Sequence, residues 1–260
     1  MSIPTDRQRP PAYRFVVGTL RPLFMAITRR DWSGQEHLPA EGGYVACTNH
    51  YSYADPFVFG HFLVDSGATP HYLGKVEVFR IPVVGRLLKA ADQIPVYRES
   101  GKAQEAYAAA VAAVRAGQCV AIYPEGTLTR DPDLWPMRGK TGAARIALET
   151  GCPVIPIANW GAQHVLGPYS KVPRLLPRSS VQVKAGPPVP LDDLHGVPMT
   201  GEVLRQATDR IMDAITALLE EIRGEVAPTV RFDPRAHGVS TTGRPSVVAD
   251  PTPHDEESTR

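Results

Sequence analysis

The strongest constraint on the fold is the alternation of strand-like and helix-like patterns between residues 44 and 223. Short apolar runs rich in Val, Ile and Ala are typical of buried strands, and the segments between them carry apolar residues at helical spacing. Strands separated by helices join through crossovers, which favour parallel pairing. The sequence therefore predicts an α/β fold, a largely parallel mixed sheet flanked by helices.

The predicted elements follow one another closely. Strands are predicted over 43–47, 71–75, 93–97, 118–123, 152–158 and 181–186, and helices over 55–64, 82–91, 102–116, 139–150 and 201–223. Asp55 is predicted to be the N-cap of the first of these helices, because Asp is a good cap and Pro56 suits the first helical position. The turns after the strands are where α/β proteins commonly place chemistry.

The N-terminal region differs from this pattern. Residues 1–11 are predicted to be disordered, and 13–30 to form a basic amphipathic helix that Pro22 kinks or splits. Residues 1–30 hold six arginines and one aspartate, a local charge of +5, and Arg14, Arg21 and Arg29 fall on one side of the predicted helix. Such a segment suits an anionic membrane interface. The alternative is a helix packed on the domain with its arginines in water.

The chain is predicted to divide into four parts. These are a disordered N-terminus over 1–11, an amphipathic membrane-interface segment over 12–30, a main domain over 31–224 and a disordered tail over 225–260. The tail is predicted from its Pro, Ser, Thr and charged residues. No run of 18 uncharged apolar residues and no secretory signal is visible, so no transmembrane helix is expected.

Overall charge and cysteine content exclude two classes of site. The net charge is +1, which argues against a dedicated nucleic-acid binder. Cys47, Cys119 and Cys152 lie in or beside apolar runs and lack metal-ligand spacing. We therefore expect reduced core thiols in a cytoplasmic protein, and no metal site.

The first candidate site is the turn that holds His50 and Asp55. His50 lies between a predicted strand end and a predicted helix start, so the turn allows Asp55 to fold back toward the imidazole. A carboxylate there would fix the tautomer of the histidine and stabilise the imidazolium formed when it accepts a proton. The alternative is an ordinary loop histidine followed by a helix cap.

Two further groups of residues lie at predicted strand ends. A Pro-Glu-Gly turn follows the strand over 118–123 and holds Glu125 and Arg130, which alone indicates only a turn. Lys75 and Arg98 each end a predicted strand, where open α/β sheets line their ligand crevice. Two converging cations there would suit a phosphate, the arginine through paired hydrogen bonds. The alternative is two solvated basic side chains.

Together these residues resemble the glycerolipid acyltransferase family, and within it the bacterial 1-acylglycerol-3-phosphate O-acyltransferases. Four blocks occur in the family's order between about residues 30 and 190: Asn49-His50 with Asp55, similar to the NHxxxxD motif; Lys75, Pro82, Gly85 and residues 94–98; Pro124-Glu125-Gly126-Thr127 with residues 138–140 downstream; and residues 154–157. One position departs from the pattern, because Leu128 stands where the family commonly has arginine, with Arg130 nearby.

The resemblance implies a reaction and its participants. A fatty acyl group would pass from acyl-CoA or acyl carrier protein to the free hydroxyl of 1-acylglycerol-3-phosphate, giving phosphatidic acid for phospholipid biosynthesis. His50 would be the base that Asp55 orients. The acceptor would be bound by Lys75, Arg98, Glu125, Gly126, Thr127 and Arg130. No permanent cofactor is implied.

The implied partners are a lysophospholipid, the thioester donor and an anionic membrane surface, with the enzyme peripheral or monotopic on the cytoplasmic face of the cell membrane. A glycerol-3-phosphate acyltransferase, an acyltransferase for another lysophospholipid or a polyprenyl-like acceptor, and a lipid hydrolase remain alternatives. A non-enzymatic membrane adaptor is disfavoured because His50 and Asp55 are both present.

Overall fold

A computed structural model of the chain describes residues 11–96, 103–170 and 172–240. The described residues include seven strands of one sheet: β1 Thr28–Ser33, β2 Tyr44–Thr48, β3 Pro70–Lys75, β4 Ile94–Val96, β5 Cys119–Ile122, β6 Val154–Trp160 and β7 Ser179–Ala185. Their order across the sheet is β1-β7-β6-β2-β5-β3-β4. Only β6 and β7 pair antiparallel, and the other neighbours are parallel. The predicted α/β fold with a largely parallel sheet is confirmed.

Helices connect most of the strands. Their bounds are α1 Pro11–Ile27, α2 Asp55–Asp65, α3 Val76–Phe79, α4 Pro82–Ala90, α5 Ala103–Arg115, α6 Gly142–Thr150, α7 Ala162–Val165 and α8 Gly201–Arg223. The longest, α8, has clear end signals. The side chain of Thr200 accepts a hydrogen bond from the Val203 N–H at its start, and Gly224 ends it with a φ of 65°.

The strands bury side chains on both faces of the sheet. In β2, Val45 and Cys47 belong to one apolar cluster, while Tyr44 and Ala46 belong to another. This alternation follows from the two-residue period of a strand. Residues of α5, α6 and α8 complete the first cluster and residues of α2 the second, so helices cover both faces. The three cysteines are buried and free, as predicted.

The predicted N-terminal helix is too long. The helix α1 runs through Pro22 as one element and ends at Ile27, and the next residues form β1 beside β7. Arg29 therefore lies on a strand and not on the helix with Arg14 and Arg21. The strand has no apolar run of its own, because it lies at the edge of the sheet and is stabilised by pairing with a segment 151 residues later. No helix in the described part has the length and apolar character needed to cross a bilayer.

Two other predictions are corrected. The N-cap of α2 is Ala54, so Asp55 is already helical and its carboxylate serves another purpose. Residues 225–240, predicted as part of a disordered tail, contact the domain. For example, the Arg138 N–H donates to the Phe232 carbonyl at 3.3 Å. Such long-range hydrogen bonds leave no trace in local composition. Residues 1–10 and 241–260 lie outside the described part.

Candidate active site

The two turns that carry most of the predicted site residues meet at one edge of the sheet. Strands β2 and β5 are parallel neighbours, and Cys47 pairs with Ile122 at their carboxyl ends. The turn after β2 holds His50, and the turn after β5 holds Glu125. The sheet therefore brings side by side two segments that are 75 residues apart in the chain.

Asp55 makes the predicted contact with His50. Its Oδ2 lies 2.8 Å from the His50 Nδ1 and also accepts hydrogen bonds from the backbone N–H groups of Tyr51 and Ser52, at 2.7 and 2.8 Å. Because a carboxylate only accepts hydrogen bonds, Nδ1 carries the proton and Nε2 is the basic nitrogen. Burial raises the pKa of Asp55, and the hydrogen bonds from His50 and the two backbone groups oppose that rise.

Glu125 holds the backbone of the His50 turn. Its Oε1 accepts a hydrogen bond from the His50 N–H at 3.0 Å, and its Oε2 accepts one from the Met137 N–H at 2.9 Å. The Thr129 N–H donates to the His50 carbonyl at 2.6 Å. Glu125 is only 2% exposed, and burial raises its pKa to about 8 against the effect of these hydrogen bonds. The structure thus places this carboxylate under the histidine and not on an open acceptor surface.

An asparagine pair that the sequence reasoning missed braces the same turn. The Asn49 amide donates to the Asn159 carbonyl at 3.0 Å, and the Asn159 N–H donates to the Asn49 Oδ1 at 2.9 Å. The Tyr51 hydroxyl donates to the Asn159 Oδ1 at 2.8 Å. All three residues are buried. A polar Asn159 directly after the apolar run 154–158 was the available signal.

An aromatic column extends from the face of His50. The Tyr123 ring stacks on the imidazole with centroids 4.1 Å apart, and Tyr72 stacks beyond it at 6.4 Å. Phe59 meets both tyrosines edge-on. The Tyr72 hydroxyl donates to the Pro56 carbonyl at 2.9 Å, which fixes the outer ring. The stack restricts rotation of the histidine ring.

Tyr72 also lines a cavity of about 450 Å³ between α1, α2 and α4. Most of its lining is apolar and includes Val16, Leu20, Phe24, Phe57, Leu87 and Leu88. Pockets of this size and character bind apolar ligands. Two stacked rings, Tyr123 and Tyr72, therefore separate the cavity from His50.

The predicted phosphate ligands are only partly placed. Lys75 ends β3, which pairs with β5, so its backbone reaches the edge of the sheet that holds His50. The side chain of Lys75 and the whole of Arg98 lie outside the described part of the chain. Their predicted convergence on a phosphate stays a prediction.

The rest of the Glu125 turn is largely buried. Gly126 has a φ of 69°, a backbone conformation that favours glycine, and a Cβ there would have to displace the end of the Lys140 side chain, whose Nζ lies 2.8 Å away. Thr127 and Leu128 are buried. The Arg130 guanidinium donates to the Ser240 carbonyl at 3.1 Å and to the Tyr169 hydroxyl. These contacts tie Arg130 to the domain's own surface and to the segment after α8.

The comparison with known families covers the His50 and Glu125 turns. The family model described as Acyltransferase matches residues 29–160, which include both turns and β3. The chain belongs to the acyltransferase family. Within this acyltransferase, the matched region contains the His50–Asp55 pair, Glu125 and Lys75.

Similar proteins carry one kind of name. The chain is 31% identical over 140 residues to a chloroplastic 1-acyl-sn-glycerol-3-phosphate acyltransferase of Brassica napus (53% of this chain, 39% of the relative). It is 32% identical over 137 residues to the 1-acyl-sn-glycerol-3-phosphate acyltransferase of Borreliella burgdorferi (52% of each) and 28% over 152 residues to that of Bacillus subtilis (57% and 71%). The match thus spans about two fifths of the length of the Brassica napus relative and about half of the length of the Borreliella burgdorferi relative.

One solved structure has the same fold. It is the 1-acyl-sn-glycerophosphate (LPA) acyltransferase PlsC from Thermotoga maritima, with a TM-score of 0.61, 21% identity and coverage of 83% of this chain and 81% of that chain. At this identity the likeness is one of fold. It agrees with the mostly parallel sheet and the flanking helices of this acyltransferase.

Proposed function

We propose that this acyltransferase moves a fatty acyl group from a thioester donor to the free hydroxyl of 1-acylglycerol-3-phosphate, which yields phosphatidic acid. The observation that carries the proposal is the His50–Asp55 hydrogen bond, held in a braced turn beside an apolar cavity. The names of the sequence relatives support the same acceptor.

The chemistry requires a base because a free hydroxyl is a weak nucleophile. His50 Nε2 takes the hydroxyl proton as the oxygen attacks the thioester carbonyl, and Asp55 stabilises the imidazolium that forms. As the tetrahedral intermediate collapses, the C–S bond breaks and the imidazolium returns the proton to the thiolate. The new C–O bond makes the ester, so no acyl-enzyme is needed.

The apolar cavity is the proposed site of an acyl chain. Its lining by α1, α2 and α4 removes an alkyl chain from water, worth about 25 cal/mol for each Å² of apolar surface buried. Tyr72 and Tyr123 separate the cavity from His50, so the carbonyl end of the chain would lie along these rings. The donor is acyl-CoA or acyl carrier protein.

Lys75 and Arg98 are the proposed ligands of the acceptor's phosphate, because residues that follow parallel strands line the ligand crevice of such sheets. Gly126 and Thr127 are proposed to shape the acceptor side through their backbone. For Glu125 and Arg130 we propose structural roles in place of the acceptor contacts that the resemblance implies. Glu125 positions the His50 turn, and Arg130 fixes the loop that follows. We place the enzyme at an anionic membrane surface on the cytoplasmic face.

An acceptor panel tests the proposal. The purified protein is given palmitoyl- or oleoyl-CoA with 1-acylglycerol-3-phosphate, glycerol-3-phosphate or another lysophospholipid, and the products are read by mass. We expect phosphatidic acid from the first acceptor, and none from the His50→Ala variant. Product from glycerol-3-phosphate alone would reassign the acceptor. Free fatty acid released without any acceptor would identify a hydrolase.

A further inference from the structure

The loop over residues 172–178, between α7 and β7, exposes an unusual set of side chains. Val172, Leu175 and Leu176 are 76%, 47% and 84% exposed. Exposed apolar residues that stand singly need no explanation, but a group of them on one short loop marks an interaction site. The loop is therefore a candidate contact surface.

Both flanks of this loop are fastened to the domain. Arg178 donates to the carbonyls of Met25 and Thr28, at 2.6 and 3.0 Å, where α1 ends and β1 begins. On the other flank, Tyr169 receives a hydrogen bond from Arg130, in the loop after the Glu125 turn. The loop thus joins the end of α1 to the catalytic edge of the sheet, and its apolar side chains remain exposed between these two anchors.

The chain segment that contains the loop carries charge of one sign. Residues 150–191 contain no Asp or Glu, whereas the loop itself carries Arg174 and Arg178. The neighbouring helix α1 also lacks acidic residues. Apolar side chains interspersed with arginines fit the interface of an anionic bilayer, where the side chains meet acyl chains and the guanidinium groups meet phosphates.

The helix α1 offers fewer of these arginines than its sequence predicts. The Arg21 Nε donates to the Asp65 Oδ1 at 2.8 Å, which pairs this guanidinium with the domain. Arg29 lies on β1. Of the three arginines, one is thus paired with the domain and one lies off the helix, while the exposed apolar residues Phe15 and Leu23 remain on α1.

We propose that the loop over 172–178 is a membrane-contact element. Leu175 and Leu176 enter the interface of an anionic phospholipid bilayer, and Arg174 contacts lipid phosphates. The inference rests on the proposed function in one respect: the acceptor and the product are lipids, so the catalytic edge must approach the bilayer. Because the loop is fastened to that edge through Tyr169, its insertion brings the His50 turn toward the membrane surface.

Vesicle sedimentation without any substrate tests the loop directly. The double variant Leu175→Ser with Leu176→Ser should lower partitioning onto phosphatidylcholine vesicles containing phosphatidylglycerol by about tenfold, since two leucines no longer enter the interface. Arg174→Gln should lower it by about fivefold on these vesicles and leave binding to pure phosphatidylcholine unchanged.

A matched control comes from the segment after α8. Val226 and Val230 are 88% and 80% exposed, so Val226→Ser with Val230→Ser removes two apolar side chains at least as exposed, on average, as Leu175 and Leu176 from another place. This variant should bind vesicles as the unchanged protein does. All variants should keep the same circular dichroism and thermal midpoint. Transfer to a short, water-soluble acceptor should also survive in the loop variants.

Two results would overturn the proposal. One is unchanged vesicle binding by the leucine variant, and the other is an equal loss in the valine control. Unchanged vesicle binding together with a loss of activity confined to an acidic carrier-protein donor would assign the loop to that protein partner instead. Because binding is measured without turnover, absence of phosphatidic acid synthesis would count against the proposed function and not against the loop.

Discussion

The turns after β2 and β5 lie at the same edge of the sheet but differ in the direction of their side chains. The first presents a side chain, because the His50 imidazole stays partly accessible while Asp55 is buried behind it. The second turns its side chains inward, since Glu125, Thr127 and Leu128 are all buried. Two turns of equal prominence in the sequence thus differ in structure: one carries the proposed base, His50, and the other holds the backbone of that residue in place.

The two carboxylates show the same difference. Asp55 receives three hydrogen bonds on Oδ2, one of them from the imidazole, while Oδ1 is buried with no hydrogen bond among the described residues. Glu125 receives one backbone hydrogen bond on each oxygen. An unsatisfied buried oxygen costs stability and is typical of functional sites, whereas the Glu125 arrangement is that of a structural brace.

The largest effect is expected at the histidine. His50→Ala should lower kcat by about 10⁴-fold, because it removes the base for the hydroxyl proton. The variant should remain folded with a lowered unfolding midpoint, since the largely buried side chain also gives up its hydrogen bond to Asp55 and its stacking on Tyr123. Steady-state kinetics and a thermal scan measure both quantities. Near-normal turnover would remove His50 from the mechanism.

The next effect is at its partner. Asp55→Asn keeps the shape but places an amide against Nδ1, so the tautomer is no longer controlled, and kcat should fall by about 10³-fold with little change in KM. Asp55→Glu serves as the comparison because it keeps the charge while moving it. If Asp55→Asn left kcat within a fewfold of normal, Asp55 would have only the role of a backbone acceptor.

Substitution of Glu125 should change both kcat and the free energy of unfolding. In Glu125→Gln the new NH₂ group faces one of two backbone N–H donors, so one hydrogen bond is lost and kcat should fall by about 10- to 100-fold. The free energy of unfolding should also fall by about 1–3 kcal/mol. Loss of stability with a smaller loss of kcat than in His50→Ala is what distinguishes the second turn from the first. A KM change for the acceptor, with kcat and stability intact, would instead make Glu125 a substrate ligand.

The aromatic stack should contribute less. Tyr123→Leu removes the ring that lies on His50 and should lower kcat by about three- to tenfold, since the imidazolium loses a cation–π contact and the ring gains rotational freedom. Tyr123→Phe keeps the stack and should behave almost as the unchanged protein. If both substitutions cost the same activity, the hydroxyl and not the ring face would be responsible.

The last prediction concerns the pH dependence of stability and involves no change in kcat. The pKa of Glu125 is raised from an ordinary 4.5 to about 8 in the folded protein. Between these values the folded state holds a proton that the unfolded state has released, so a rise in pH favours unfolding. The contribution of protonated Glu125 to the free energy of unfolding is therefore complete below about pH 4.5 and is lost as the pH approaches 8.

Denaturant unfolding at several pH values measures this contribution. The difference in unfolding free energy between the unchanged protein and Glu125→Gln should fall steadily as the pH rises across that range. A constant difference would mean that Glu125 is ionised in the fold throughout, and that its two backbone hydrogen bonds outweigh burial.

The central contact of the site was predictable from the sequence because it depends on local spacing. His50 and Asp55 are five residues apart in one turn, so their contact needs only the strand end and the helix start that the apolar runs predict. The role of Glu125 was not predictable in this way. Its side chain reaches His50 only because β5 lies next to β2, and the predicted acceptor contact assumed an open turn.

What the sequence by itself determined is the identity and order of the elements from β2 to α8, apart from the short helices α3 and α7, together with the types of residue at the strand ends. Periodicity and side-chain chemistry are local properties, so a single chain displays them. Only the tertiary structure decided that Thr28–Ser33 is a strand, that residues 225–240 contact the domain, and that Glu125 faces inward. Each of these features depends on a partner far away in the chain. The segments concerned show no apolar periodicity, and their backbone and carboxylate groups are held by hydrogen bonds to residues that are distant in the sequence.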